Sequence, residues 1–310
     1  MADMEISILL IKQIISLSLI GIAGFWLRKM NFISHEGSRG LTAASVYICM
    51  PCTLFVSSQT DMTSERMTGF VYAITAAVVL HIIFFAVMKI LRKPFSFSVI
   101  EYNSIVYSNA GNLIIPLVTG VFGAEYVFYT SAYIIVQNLL LWSYTVSEIG
   151  GRSSLKKILL HPCMLAILGG MLFMAAGWHI PPTVSTAMSS LAACIGPIAM
   201  LTVGILIAEI DLREILANRR IYLVSVFRLI IYPLIAMVGA YLVWKQFDGA
   251  DHIIYLIVVL GACGPTATTI TQMAQLYDNE PWYASSLNVF TTLGSLVTIP
   301  LMMTGAQILL

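Results

Sequence analysis

The chain has 310 residues, of which 59% are hydrophobic and only 10% charged, with a mean hydropathy of +0.90. That excess of apolar side chain excludes an ordinary soluble domain, and a net charge of +1 gives no electrostatic footprint for a nucleic-acid partner. The charges cluster in short segments between apolar runs of about 20 residues, the length that crosses roughly 30 Å of hydrocarbon.

Ten apolar spans are predicted in chain order, at about 5–27, 38–58, 67–91, 97–121, 125–147, 158–178, 183–208, 216–244, 251–273 and 282–306. The first is too long for a signal h-region, and Met30-Asn31 offers no small-residue cleavage site, so it reads as a retained helix. The connections are short and none can hold a soluble domain. The expected fold is therefore an all-α polytopic membrane protein. Lys and Arg in the loops set its orientation. Odd-numbered loops carry Arg28, Lys29, Arg39, Lys89, Arg92, Lys93, Arg152, Lys156, Lys157, Arg213, Arg219 and Arg220, whereas even-numbered loops carry Arg66 and Lys245. Twelve against two places the odd loops on the cytoplasmic side and both termini outside. Trp26, Trp142, Trp178, Trp244 and Trp282 fall at span ends, as an interfacial belt expects.

Five spans per half would make the second half an inverted copy of the first. Residues 1–149 and 150–310 form the two repeats, joined at GGRSSLKK, 150–157. Pro51 in span 2 matches Pro197 in span 7, an offset of 197 − 51 = 146, and Pro116 in span 4 matches Pro265 in span 9, an offset of 265 − 116 = 149. Interruptions at corresponding positions of two halves are the best sequence pointer to a transporter site.

The interruptions are also polar. In span 4, NAGNLIIP places Asn109, Gly111, Asn112 and Pro116 within eight residues. Pro116 lacks an N–H, and its ring clashes with the carbonyl of Asn112, so the backbone is expected to open around 110–116. Open backbone at membrane depth needs protein or a water-filled cavity to satisfy it. Asn109 and Asn112 can serve the freed groups or a ligand. In span 9, Gly264-Pro265 breaks the helix, and Thr266, Thr268, Thr269 and Gln272 add polar atoms. Two half-helix N-termini meeting at one point would favour an anion. A single proline kink is more commonly satisfied by neighbouring helices; two matched kinks flanked by amides and hydroxyls point to a site.

Other polar residues carry weaker signals. Arg228, in mid-span, reads either as a counter-ion for an anionic substrate or as snorkelling toward the cytoplasm, since Arg219 and Arg220 are only two turns away; the second reading is favoured. His81, in span 3, is a proton site or a structural hydrogen-bonding group. Glu101 and Glu125 stand near the two ends of span 4 and are expected to be wet. Gln137, Asn138 and Asn288 can pair across helices as packing glue. Cys49 and Cys52 in CMPC share a helix face and admit a thiol-redox reading, but they sit in an apolar helix. No His-Cys cluster marks a metal site.

At SNAGNLIIPLV (108–118), GPIAMLTVGILIAEIDLREIL (196–216) and CGPTATTITQMAQLYDNEPWYASSLNVFTTLGSLVTIPLM (263–302) the chain resembles the auxin efflux carrier family and, more broadly, the bile-acid-transporter-like inverted-repeat carriers. It departs from the pattern at Ile114, where many members carry Gly. The resemblance implies ten helices in two inverted five-helix repeats. Spans 1, 2, 6 and 7 would form a scaffold, with spans 3–5 and 8–10 forming a transport unit in which spans 4 and 9 cross at Pro116 and Pro265. It implies a carboxylate cargo, alternating access by an elevator-like or rocking motion, a homodimer through scaffold helices, and Asn109 as the substrate contact.

The sequence reading is a secondary transporter for a small organic anion in the cell (cytoplasmic) membrane, not an enzyme, with no cofactor. Proton coupling is open. Sodium coupling is a rival, disfavoured because spans 4 and 9 carry no mid-span carboxylate. A thiol-redox protein and a ligand sensor are the remaining rivals.

Overall fold

Three prolines follow stretches of wide helix. In the computed structural model, π-helical turns at Ser45–Cys49, Ala110–Ile114 and Phe227–Ile231 lead into Pro51, Pro116 and Pro233, each at the first or second position of the α-helix that follows. A proline cannot donate to the carbonyl one turn back and pushes against it. One turn of i→i+5 bonding widens the helix and lets it continue. Pro51 therefore does not break the scaffold helix it was expected to break. Pro197 lies in the first turn of the helix Ile195–Glu209.

The structure describes residues 2–59, 63–149, 156, 159–246 and 251–309. The expected join at 150–157 falls outside them, apart from Lys156. The chain runs through α1 (Ala2–Lys29), α2 (His35–Ala44), α3 (Met50–Val56), α4 (Ser64–Leu91), α5 (Val99–Val106), α6 (Ile115–Val121), α7 (Val127–Leu140) and α8 (Val146–Ile149). It continues through α9 (Pro162–Ala176), α10 (Pro182–Ala193), α11 (Ile195–Glu209), α12 (Leu212–Ala217), α13 (Arg219–Val226), α14 (Tyr232–Trp244), α15 (His252–Cys263), α16 (Thr268–Leu276) and α17 (Pro281–Ile308).

Among the described residues, six helical stretches are long and apolar enough to cross a membrane: 8–29, 36–56, 64–91, 182–209, 219–244 and 281–308. Shorter apolar helices lie at 110–121, 162–176 and 252–263. This is a multi-pass membrane protein. Trp26 and Trp178 are exposed, as the interfacial reading requires.

The chain forms two compact units. Unit 1 contains residues 1–67, 111–131 and 159–210; unit 2 contains 68–110, 132–158 and 211–310. Unit 1 is organised by α1 against α11. A Cβ on Gly24 would meet the Leu201 backbone, and one on Gly204 would meet the Gly21 carbonyl oxygen. Glycine at both points lets the two backbones touch, the means by which apolar helices associate where no water drives them together. Arg28 closes one end of this pair on Glu209 at 2.8 Å. Gln13 donates to the Pro116 carbonyl at 3.5 Å, tying α6 to α1.

Unit 2 has its polar anchors at the start of α5. Ser98 and Glu101 form a capping box, Ser98 N–H donating to Glu101 Oε2 at 2.9 Å. Glu101 is buried rather than wet. It takes the Arg220 guanidinium, with Nε at 2.8 Å, and the Tyr283 hydroxyl at 2.7 Å. A carboxylate at a helix start with a charged partner needs no water, which is why the expectation fails. Glu125 is exposed. Arg92 pairs with Glu148 at 2.6 Å, and Asn103 links α5 to the same carboxylate and to Thr145.

Candidate functional site: the paired helix breaks of unit 2

The helix α5 stops at Val106, and Tyr107, Ser108 and Asn109 run extended before the next turn begins at Ala110. In the second half, α15 stops at Cys263, and Gly264 to Ala267 run extended before α16 begins. The two extended strips lie antiparallel, bridged at Ser108 and Thr266. Asn109 N–H donates to the Pro265 carbonyl at 2.8 Å, and Ala267 N–H donates to the Tyr107 carbonyl at 3.0 Å. Each break thus supplies part of the other's missing backbone pairing, which makes open chain tolerable away from water.

The first break is three residues earlier than expected. The segment 110–116 stays helical because the π-helical turn at Ala110–Ile114 absorbs Pro116. The spatial counterpart of Pro265 is consequently Asn109, not Pro116. The second break falls where Gly264-Pro265 placed it.

Side chains complete the crossover. Gln137 on α7 accepts from the Ser108 N–H and hydroxyl, both at 3.0 Å, and donates to the Ser108 carbonyl at 2.8 Å. Ser108 Oγ also lies 2.7 Å from the Gly261 carbonyl, so its single proton is shared between that oxygen and Gln137 Oε1. On the other strip, Asn288 on α17 donates to the Thr266 carbonyl at 2.9 Å, Thr291 Oγ1 accepts from the Thr266 N–H at 3.2 Å, and the Thr266 hydroxyl donates to the Ser104 carbonyl at 3.1 Å. Gln137 and Asn288 therefore do not pair with each other; each serves one break. The sequence places both within apolar spans but gives no sight of the carbonyls they meet.

Arg228 is fully buried, which overturns the snorkelling reading. Its Nε donates to the Gly264 carbonyl at 2.8 Å, its Nη1 to the carbonyls of Ile105 at 2.9 Å and Val106 at 3.3 Å, and its Nη2 to the Ala262 carbonyl. These groups end α5 and α15, where the last carbonyls of a helix have no partner and carry its negative pole. The direct counter-ion reading finds no support either, since the guanidinium is engaged by backbone.

The other predicted residues divide clearly. Asn109, Pro265 and Thr266 come together at the crossover. Asn109 is 5% exposed, and its side-chain amide has no hydrogen-bond partner among the described residues, whereas every polar group of Thr266 is used. Thr268 and Thr269 stand half-buried in the first turn of α16, whose N-cap Ala267 supplies no side-chain cap; Gln272 is exposed one turn on. Gly111, Asn112 and Pro116 belong to unit 1, where Gly111 packs on the Met50 side chain. His81 is buried with Nδ1 2.7 Å from the Ala77 carbonyl of its own helix and its ring 5.1 Å from that of Tyr133. Cys49 and Cys52 are free thiols, the first buried.

The family model described as membrane transport protein matches the chain twice, over residues 9–154 and 148–303. No curated protein matches the chain significantly. The two matches together take in nearly the whole chain, which therefore belongs to the membrane transport protein family, the auxin efflux carrier family that its residues resemble.

Proposed function

We propose that the protein is a secondary carrier for a small organic anion, a carboxylate, working by alternating access through an elevator-like or rocking motion. The observation that carries the reading is Asn109. It holds a buried, unpartnered amide on the extended strip that is hydrogen-bonded to Pro265. Three residues beyond Pro265 in the chain, α16 begins at Thr268, and its N-cap Ala267 supplies no side-chain cap. The first N–H groups of a helix lack internal partners and carry about half a positive charge, so a helix start on the strip that pairs with that of Asn109 supports a carboxylate reading. Asn109, with the first turn of α16 at Thr268 and Thr269, is the ligand set. Thr266 and Pro265 shape the strip, and Gly111, Asn112 and Pro116 receive no ligand contact in this reading.

The wider assignment follows from the same reading. The protein is a ten-span carrier of two inverted five-span repeats in the cell membrane, with both termini external and a homodimeric assembly. Unit 1, which gathers spans 1, 2, 6 and 7 with residues 111–131, is the scaffold; unit 2 is the transport unit. Thermal unfolding of the purified protein with a panel of mono- and dicarboxylates tests the ligand class. A bound anion at a hundred times its Kd adds about 2.7 kcal/mol of stability. The expected result is a rise in Tm with one carboxylate class that disappears in Asn109→Ala. No rise with any carboxylate contradicts the reading.

A further inference from the structure

The carbonyls at the ends of the two broken helices converge on a single side chain. Ile105 and Val106 of α5, and Ala262 and Gly264 at the end of α15, all accept from Arg228. No carboxylate pairs with that guanidinium among the described residues; its neighbours are backbone dipoles. Each helix C-terminus presents about half a negative charge, so two together match one cation. Unwound carbonyls and half-helix C-termini are the groups with which inverted-repeat carriers in general hold a coupling ion such as Na⁺. Here such a cage exists, and a covalently attached cation fills it.

We infer that Arg228 is a tethered substitute for a coupling cation. It occupies the carbonyl cage permanently, holds the two breaks in register without any free ion, and renders the site at Asn109 independent of Na⁺. It is a positioning residue, acting on the ligand strip through the backbone of residues 105–109 and 262–266. The π-helical turn Phe227–Ile231 that carries it belongs to the same device, because it seats the arginine two residues after a regular helix ends and five before Pro233. Absence of a mid-span carboxylate and independence of Na⁺ then have one cause: the positive charge is already supplied. The ligand part of this inference rests on the carrier reading above; the cage does not.

The test measures Tm of the purified protein in choline, potassium, sodium and guanidinium chlorides at equal tens-of-millimolar concentration, for wild type, Arg228→Ala and Arg228→Lys. Wild type should unfold at the same temperature in all four salts. Arg228→Ala should lose about 5–10 °C in choline, and guanidinium should return at least about half of that loss by refilling the cage. Sodium should return part of it. Arg228→Lys keeps a charge but cannot reach four carbonyls, so it should fall between the two and gain little from guanidinium. A merely structural arginine predicts equal losses in every salt, and that result overturns the inference, as does stabilisation of wild type by Na⁺ alone. If Arg228→Ala yields no folded protein, Arg228→Met decides, since it fills volume without charge and indifference of its Tm to the cation is equally fatal. Failure of the carboxylate panel with a positive cation series would sink the carrier reading and leave the cage standing.

Discussion

Gln137 stands in for a peptide group opposite Ser108, accepting from its N–H at 3.0 Å and donating to its carbonyl at 2.8 Å. A strand neighbour would make the same pair of bonds, and none is present on that side. Replacing Gln137 with Leu keeps the volume and removes both. Two buried backbone groups then lose partners, at a cost of about 1–3 kcal/mol. Denaturation of the purified variant should show that loss.

The second break makes a parallel prediction. Asn288→Ala frees the Thr266 carbonyl, and Thr291→Val frees the Thr266 N–H. Because the two side chains serve one residue, their effects should not add. A double-mutant cycle on Tm should give a coupling of about 0.5 kcal/mol or more. Strict additivity would show that Thr266 is held by something else.

The ion pair at the start of α5 is asymmetric. The Glu101 side chain is 4% exposed and that of Arg220 is 40% exposed. Arg220→Ala strands a buried carboxylate, whereas Glu101→Gln leaves an arginine that can turn to water and still reach the carbonyls of Phe95 and Ser96. The first change should cost about 2–4 kcal/mol and the second less than half as much. Equal losses would contradict the buried position of Glu101.

Backbone contact between α1 and α11 predicts that Gly204→Leu separates the pair, since even a Cβ there meets the Gly21 carbonyl. Overpacking of this kind costs about 1–3 kcal/mol. Pro116→Ala should do far less, within about 1 kcal/mol, because the π-helical turn at Ala110–Ile114 already accommodates the proline and alanine adds no bulk. Thermal melts of the two variants should separate them clearly.

What the sequence disclosed depended on how local its cause was. The six long apolar helical stretches among the described residues follow from apolar run length alone. Gly264-Pro265 marks its break directly, because proline and glycine act on their own backbone. Pro116 misled for the same reason: its local clash is real, but a π-helical turn relieves it without opening the chain, and widening of that kind leaves no residue signature. The break at Tyr107–Asn109 carries neither glycine nor proline. It is stabilised by Gln137, Arg228 and the opposite strip, groups 28 or more residues away, so no window along the chain could reveal it. Arg228 lay near Arg219 and Arg220 in sequence, yet the carbonyls that hold it arrive from α5 and α15. Asn109 was legible as polar residue in an apolar span; that its amide lacks a protein partner was not.

The central claim is carriage of a carboxylate through a site at Asn109, and counterflow in proteoliposomes tests it most directly. Vesicles loaded with an unlabelled carboxylate should accumulate the labelled one above its equilibrium level, with no requirement for Na⁺, and Asn109→Ala should abolish that overshoot while its Tm without ligand stays close to wild type. Absence of overshoot with every carboxylate, or an undiminished overshoot in Asn109→Ala, would contradict the account.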